Sequence, residues 1–85
     1  MYYVYVIQSL KDFNFYTGYT KDLKRRLLEH TNSREFSTKH RAPFKLIYYE
    51  ASMDKEDAIA REKYLKSGRG KKYIKSRLKN FLNLA

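Results

Sequence analysis

The sequence is 85 residues long, which is enough for one small domain with a compact core. Its content of 42% hydrophobic and 16% aromatic residues is too high for a disordered chain, and the lack of cysteine excludes disulfides and thiolate metal sites. The formal net charge of +10 makes a polyanion the expected partner.

Most of the positive charge lies in the last third of the sequence. Residues 61–79 contain nine Lys and Arg and one Glu, so they carry +8, whereas the remaining residues carry only +2. This pattern indicates either nucleic-acid binding or a solvated helix face. A membrane surface is disfavoured because Tyr and Ile interrupt the basic run, and no stretch has the roughly 20 apolar residues of a membrane span. We therefore expect a cytoplasmic protein.

Two strands are predicted at the start of the chain. Residues 2–9 are rich in β-branched and aromatic side chains, which predicts a strand buried on both faces. Residues 15–20 predict its antiparallel partner across a short turn. Gly18 interrupts this second strand, which indicates either a bulge or the close approach of a backbone or a ligand.

An amphipathic helix is predicted after the second strand. Thr20 is expected to be its N-cap, and Leu23 and Leu27 give it an apolar stripe. Arg26 and His30 are separated by one helical turn and flank that stripe. They are interpreted either as boundary side chains that reach solvent or as residues of a functional site.

The rest of the chain predicts one strand and two helices. A polar loop at residues 32–43 leads into a strand at residues 44–51, whose side chains should alternate strictly between two faces. A helix that begins after Ser52 or Asp54 follows, and a Gly-Arg-Gly break separates it from a basic helix at about residues 70–82.

These elements give the order β-β-α-β-α-α. This order packs most simply as a three-stranded antiparallel sheet flanked by three helices, which is an α+β fold. No repeat, linker or low-complexity segment divides the sequence, so we expect a single domain over residues 1–85.

One carboxylate does not fit the pattern of the second helix. Glu62 falls within the apolar stripe that Ala58 and Leu65 define. Burial of an unpaired carboxylate costs several kcal/mol, a large part of the stability of a small domain. Glu62 is therefore expected to bind either Arg26 or a hard divalent cation, and the spacing favours neither. Glu50, in the third strand, is interpreted as a surface residue.

Two triplets, YVY at residues 3–5 and YTG at residues 16–18, provide a link to a known family. Together with Arg26 in the following helix and Glu62 in "AREKYLK", they resemble the GIY-YIG nuclease family. The chain is similar to small stand-alone bacterial members that are related to the N-terminal nuclease domain of the UvrC excision-repair subunit. The likeness covers about residues 2–72.

The chain departs from the family pattern at three positions. Tyr3 and Thr17 replace the glycine of the first triplet and the isoleucine of the second, which are mild changes in a strand. Tyr19 stands where UvrC-like members often have lysine, and Lys21 is the candidate to take over that role. Gly18 is kept, and the resemblance predicts that a larger side chain there would obstruct a phosphate or a metal ion.

The resemblance implies hydrolysis of phosphodiester bonds in DNA with a single Mg²⁺ or Mn²⁺ ion, in repair or recombination. By position, Glu62 would hold the metal ion, Arg26 would bind the scissile phosphate and Tyr5 would act as general base. Tyr16 and His30 would orient the phosphate or the base, and His30 is also an alternative general base because of its unperturbed pKa near 6.5.

Cations of the basic region are expected to hold the flanking phosphates without reading sequence. They are Lys66, Arg69, Lys71, Lys72 and Lys75. Two other functions remain open: a basic module that binds nucleic acid and cleaves nothing, and an interaction module that docks onto an acidic protein. The first does not explain a carboxylate within an apolar stripe, and the second predicts no preference for nucleic acid over other polyanions.

Overall fold

The computed structural model describes residues 1–31 and 43–83. The element order is β-β-α-β-α-α, with three strands and three helices, so the predicted α+β fold is confirmed. The predicted polar loop lies, except for Pro43, outside the described residues. The elements are β1 Tyr2–Ser9, β2 Phe15–Thr20, α1 Leu23–Thr31, β3 Phe44–Ser52, α2 Lys55–Lys66 and α3 Gly68–Arg77.

The sheet has the order β2-β1-β3, and both pairings are antiparallel. Strand β1 is central, and its residues Val4 to Ile7 are each at most 2% exposed, as expected for a strand of β-branched and aromatic residues with neighbours on both edges. Val4 and Val6 face helices α2 and α3, where they pack with Ala58, Leu65 and Ile74. This surface of the sheet is called the α2 face. The opposite surface, towards α1, is called the α1 face.

The predicted strict alternation of β3 is wrong at one point. Val6 pairs with Tyr48 but Ile7 pairs with Leu46, so Ile47 is left without a partner in a bulge. As a result, the neighbours Ile47 and Tyr48 both pack against the core on the α2 face. The extra residue shifts the register, which places Leu46 and Tyr49 on the α1 face together.

The N-caps of the first two helices come from aspartates. The prediction of Thr20 as the N-cap of α1 is wrong, because Asp22 Oδ1 accepts the backbone N–H of Arg25 at 3.1 Å. Thr20 Oγ1 instead accepts the N–H of Asp22 at 3.0 Å and so orders the turn before the helix. Asp54 is the N-cap of α2, as one of the two predicted alternatives had it.

Helices α2 and α3 meet at a single residue, Ser67. Its side chain accepts the N–H of Gly70 at 3.1 Å, so the Gly-Arg-Gly segment forms the first turn of α3 and does not separate the two helices. Helix α3 therefore spans Gly68–Arg77 instead of residues 70–82. Gly70 packs against the last turn of α2, where a Cβ would overlap the backbone of Leu65. Among the described residues no helix is both long and apolar enough to span a membrane.

Candidate active site

A hollow beside the edge strand β2 has a volume of about 520 Å³ and takes side chains from β1, β2 and all three helices. It contains six of the predicted site residues, and two of the predicted phosphate-binding lysines also line it. The predicted site residues in the hollow are Tyr5, Tyr16, Gly18, Arg26, His30 and Glu62, and the two lysines are Lys66 and Lys71.

Tyr5 links Arg26 to His30. The Tyr5 hydroxyl accepts a hydrogen bond from Arg26 Nε at 3.1 Å and lies 3.0 Å from His30 Nε2. Tyr5 is 2% exposed and His30 is 4% exposed, so these contacts are made away from bulk water. Because Arg26 donates to the hydroxyl oxygen, the hydroxyl proton can be donated to His30 Nε2 when that nitrogen is unprotonated. This triad explains why α1 directs a guanidinium and an imidazole towards the sheet.

Gly18 lies directly opposite Tyr5 in the ladder between β1 and β2. The pairing runs without a register shift through this position, so the predicted bulge is absent from this described pair of strands. A Cβ on Gly18 would overlap the Tyr5 ring and hydroxyl. The phenol of Tyr5 is therefore the group that approaches Gly18 closely. The ring can lie across β2 only because position 18 has no side chain.

Tyr16 joins the hollow to the turn between β1 and β2. Its hydroxyl donates to Asp12 Oδ2 at 3.1 Å, and its ring packs edge-to-face on Phe44 with 5.5 Å between the ring centroids. His30 also packs against Phe44, with 5.8 Å between the ring centroids. Sequence reasoning missed Asp12 as the partner of Tyr16, although its position four residues earlier, across a tight turn, was a usable signal.

In the part of the chain that the structure describes, Glu62 does not pair with Arg26, which was one of the two partners that the sequence left open. Its carboxylate pairs with Lys66 Nζ at 3.2 Å, one helical turn further along α2. Within the described residues Arg26 pairs instead with Glu29 at 3.2 Å. The predicted ion pair between Arg26 and Glu62 is thus wrong, because α1 and α2 each supply an oppositely charged residue of their own. The Glu62 side chain is 22% exposed and lines the hollow.

The donor set of the hollow suits one hard divalent cation. Mg²⁺ binds through one or two carboxylates and completes its shell with waters and phosphate oxygens, so a single accessible glutamate is sufficient. Across residues 1–31 and 43–83 no three His, Cys, Asp or Glu residues cluster into a ready-made cage. Glu62 could bind such an ion if Lys66 turned away, and the Lys66 side chain, 57% exposed, has solvent to turn into.

The predicted phosphate-binding cations divide into two groups. Lys66 and Lys71 line the hollow, and Lys75 joins Lys71 in an adjoining groove of about 340 Å³. Arg69 and Lys72 are exposed on α3 but line neither cavity. The difference follows from helical geometry, since positions 71 and 75 are one turn apart on the same side of α3 whereas 69 and 72 lie on other sides.

Glu50, interpreted from the sequence as a surface residue, has a side chain that is 24% exposed and is paired with Arg61. Arg61 donates to both of its carboxylate oxygens, at 2.6 and 3.2 Å, and the Tyr48 hydroxyl donates to it at 2.7 Å. The guanidinium of Arg61 also lies 5.0 and 5.5 Å from the ring centroids of Tyr64 and Tyr73. This cluster fastens α2 to β3 one residue before Glu62.

The charges of this cluster reinforce one another. The hydrogen bonds from Arg61 lower the pKa of the Glu50 carboxyl below its usual value, and Glu50 in turn raises the pKa of Arg61. Burial first, and then the hydrogen bond to Glu50, raise the pKa of Tyr48 far above that of a free tyrosine. Glu50 therefore stays ionised and Tyr48 stays neutral over the physiological pH range.

Comparison with known proteins identifies related chains. The GIY-YIG catalytic domain matches residues 1–80. A UPF0213 protein of Staphylococcus saprophyticus is 36% identical over 74 residues, which cover 86% of this chain and 89% of that protein. A UPF0213 protein of Clostridium perfringens is 40% identical over 67 residues, covering 78% and 71% of the two chains. The solution NMR structure of the UPF0213 protein of Bacillus halodurans has a TM-score of 0.55 and 38% sequence identity, and the match covers 89% of this chain and 84% of that one.

Proposed function

The chain belongs to the GIY-YIG nuclease family, and from this premise we propose that it is a divalent-metal-dependent endonuclease that hydrolyses phosphodiester bonds in DNA. The observation that carries the proposal is that Tyr5, Arg26 and Glu62, from three separate elements, line one hollow. A cationic donor, an acidic ligand and a hydroxyl with a neighbouring imidazole are the groups that phosphodiester hydrolysis needs.

In this proposal Arg26 binds the scissile phosphate. It lines the hollow with a side chain that is 31% exposed, so its charge is accessible to a phosphate that enters from solvent. Its Nε donates to Tyr5 and its Nη1 to Glu29, and these two bonds fix the plane of the guanidinium. Because the plane is fixed, the guanidinium N–H groups that are not used in these two bonds point in one direction. This geometry favours binding of two phosphate oxygens at once.

Tyr5 and His30 supply the proton acceptor. A free tyrosine has a pKa near 10, so its phenolate is scarce at neutral pH, and a second group must take the proton. His30 Nε2, at 3.0 Å from the Tyr5 hydroxyl, is placed to do so. The positive charge of Arg26 at 3.1 Å stabilises the phenolate oxygen that results. Tyr5 then orients and deprotonates the attacking water, with His30 behind it.

Glu62 is the residue that would hold Mg²⁺ or Mn²⁺. The bound ion would neutralise charge on the phosphate and on the leaving oxygen. Glu62 is carried on α2, which the bidentate pair of Arg61 and Glu50 fixes to the sheet, so its carboxylate is held at the wall of the hollow. Lys71 and Lys75, along the adjoining groove, would bind neighbouring phosphates and position the strand without reading its sequence.

A second candidate function is a module that binds nucleic acid and cleaves nothing. The ion pair between Glu62 and Lys66 favours it, because the pair satisfies the carboxylate without a metal ion. Incubation of supercoiled plasmid and of branched DNA with the protein, in Mn²⁺ and in EDTA, separates the two functions. Nicking that requires Mn²⁺ and is lost in Glu62→Ala supports the endonuclease. Binding of every substrate without nicking supports the module and contradicts the endonuclease.

A role in DNA repair and a location in the cytoplasm stay predictions.

A further inference from the structure

Phe13, in the turn between β1 and β2, occupies a position that neither local conformation nor burial explains. Its φ is 60°, in the left-handed region that a bulky residue rarely adopts, and its side chain is 66% exposed. Glycine or asparagine would suit this backbone better, and an exposed phenyl ring gains little from the hydrophobic effect. Stability therefore does not account for a phenylalanine here, which points to a ligand for the ring.

The turn holds Phe13 in this conformation through a set of hydrogen bonds. Ser9 Oγ accepts the N–H groups of Lys11 and Asp12 at 3.0 and 3.1 Å, and Ser9 O accepts the N–H of Phe13 at 2.9 Å. Asp12 Oδ1 accepts the N–H of Asn14 at 2.9 Å. These bonds fix the backbone that carries the exposed ring. Little conformational entropy of the turn is therefore lost when a ligand stacks on the ring.

The surroundings of Phe13 identify the chemistry of that ligand. Phe13 lines the groove that also contains Lys71 and Lys75, and no carboxylate among residues 1–31 and 43–83 pairs with either lysine. Phe15, Tyr16 and Lys71 line both this groove and the hollow of the candidate active site, so the two adjoin. An aromatic face beside two cations fits a nucleotide, whose base stacks while its phosphate is neutralised.

We propose that Phe13 is a base-stacking residue that receives an unpaired nucleobase next to the cleaved linkage. In a continuous duplex the faces of the bases are covered by their neighbours, so only a single-stranded overhang, flap or gap offers a face to the ring. The substrate class is therefore DNA with unpaired nucleotides beside the site of cleavage. This inference rests on the proposed function, because it extends the same DNA path along the groove.

The test is binding, measured by fluorescence anisotropy in EDTA so that it does not depend on cleavage. The ligands are a blunt duplex, the same duplex with a short single-stranded overhang, and that duplex with an abasic overhang. Phe13→Asn suits the left-handed backbone and removes the ring, Phe13→Trp keeps an aromatic face, and Leu10→Asn removes another exposed apolar side chain of the same turn. Thermal melting checks that each variant is folded.

The wild type should bind the overhang more tightly than the blunt duplex, and abasic sites should remove the difference. Phe13→Asn should weaken binding of the overhang about 5- to 10-fold and leave the blunt duplex unchanged, whereas Phe13→Trp and Leu10→Asn should bind as the wild type does. Equal binding of the three ligands by the wild type, or an unchanged affinity in Phe13→Asn, would overturn the inference. Either result would favour a protein as the ligand of the Phe13 ring. Plasmid nicking in Mn²⁺ is measured separately. A failure of the cleavage proposal would appear in the nicking assay, whereas a failure of the stacking proposal would appear in the binding assay.

Discussion

The phenol ring of Tyr5 occupies the space that a side chain at position 18 would fill. Tyr5 and Gly18 are direct partners in the antiparallel ladder, and the ring crosses over the glycine on the α1 face of the sheet. In that position its hydroxyl meets both Arg26 and His30. Gly18 of the second triplet therefore provides the space that Tyr5 of the first triplet occupies, and the two triplets form one structural unit.

Gly18→Ala should consequently damage both stability and activity. The added methyl group would collide with the Tyr5 ring, and overpacking of this kind lowers the free energy of unfolding by about 1 to 3 kcal/mol. A displaced ring would also lose its hydrogen bonds to α1, so plasmid nicking should fall. Gly68→Ala is the matched control: a Cβ there meets nothing within 4 Å, and the position is helical, so we expect a neutral or slightly stabilising change. Equal melting temperatures for the two variants would contradict the account.

Tyr5→Phe should keep the aromatic ring and remove the hydroxyl group that is proposed to transfer the proton. Loss of the hydroxyl leaves Arg26 Nε and His30 Nε2 without their shared partner, which should lower the free energy of unfolding by about 1 kcal/mol. The nicking rate should fall about 10²-fold, the usual contribution of a positioned proton acceptor. Tyr3→Phe, two residues away on the same face of β1, should cleave normally. Near-normal cleavage by Tyr5→Phe would remove Tyr5 from the role of general base.

The pH dependence of cleavage reports on His30. His30 can accept the Tyr5 proton only when Nε2 is unprotonated, so the wild-type rate should fall as acidic pH protonates the ring. In His30→Ala the rate should be lower throughout, and this acid-side decrease should disappear. Rates of plasmid nicking across the acidic and neutral range provide the measurement. An unchanged profile in His30→Ala would show that the histidine is structural.

Arg26→Lys tests the guanidinium, because it retains the charge. A lysine is a point charge and cannot donate to Tyr5 and Glu29 while it presents a planar fork to a phosphate. We expect the nicking rate to fall about 10²-fold, as on removal of a transition-state donor. Arg25→Lys, at a neighbouring position whose side chain is 76% exposed, should be active. If both lysine variants cleave at the wild-type rate, charge alone suffices and the planar fork has no part.

Glu50→Gln should destabilise the fold in a pH-dependent way. At about pH 7 the loss of the charged partner of Arg61 should lower the free energy of unfolding by about 1 to 2 kcal/mol. The pKa of Glu50 is lower in the folded state than in the unfolded state, so its stabilisation is fully present above the ordinary carboxyl value of 4.5. It is lost as the pH falls through the folded-state pKa. Urea titrations should therefore show the difference between wild type and variant shrinking as the pH falls below the ordinary carboxyl value of 4.5. A constant difference would contradict this account of the ion pair.

The sequence predicted the elements because their signals are local. The run of β-branched and aromatic residues at Tyr2–Ser9 specifies a strand wherever it is placed, and its bounds were predicted correctly. The N-cap of α1 was missed because Thr20 and Asp22 are both good capping residues, and the choice depends on where the strand pairing ends. The bulge at Ile47 was missed because two-residue periodicity carries no information about pairing with another strand.

The site was less predictable because it depends on distances between elements. Helical spacing alone placed Arg26 and His30 together, but the hydroxyl that joins them comes from β1. The same spacing put Glu62 on the inner side of α2, but it left Arg26 and a divalent cation open as partners and did not identify Lys66, with which Glu62 pairs. That choice depends on the separation of α1 from α2, which no periodicity within one helix encodes.

The most direct test of the central proposal compares two isosteric variants on α2, Glu62→Gln and Glu56→Gln. Glu62 lines the hollow, whereas Glu56 is exposed in the first turn of the helix, so the two changes remove the same charge at different distances from the site. The measurement is the rate of Mn²⁺-dependent nicking of supercoiled plasmid, with DNA binding in EDTA recorded beside it. We predict that Glu62→Gln loses at least about 10²-fold in rate while it still binds DNA, and that Glu56→Gln cleaves as the wild type does. Cleavage by Glu62→Gln at the wild-type rate would contradict the proposed role of this carboxylate and the endonuclease mechanism built on it.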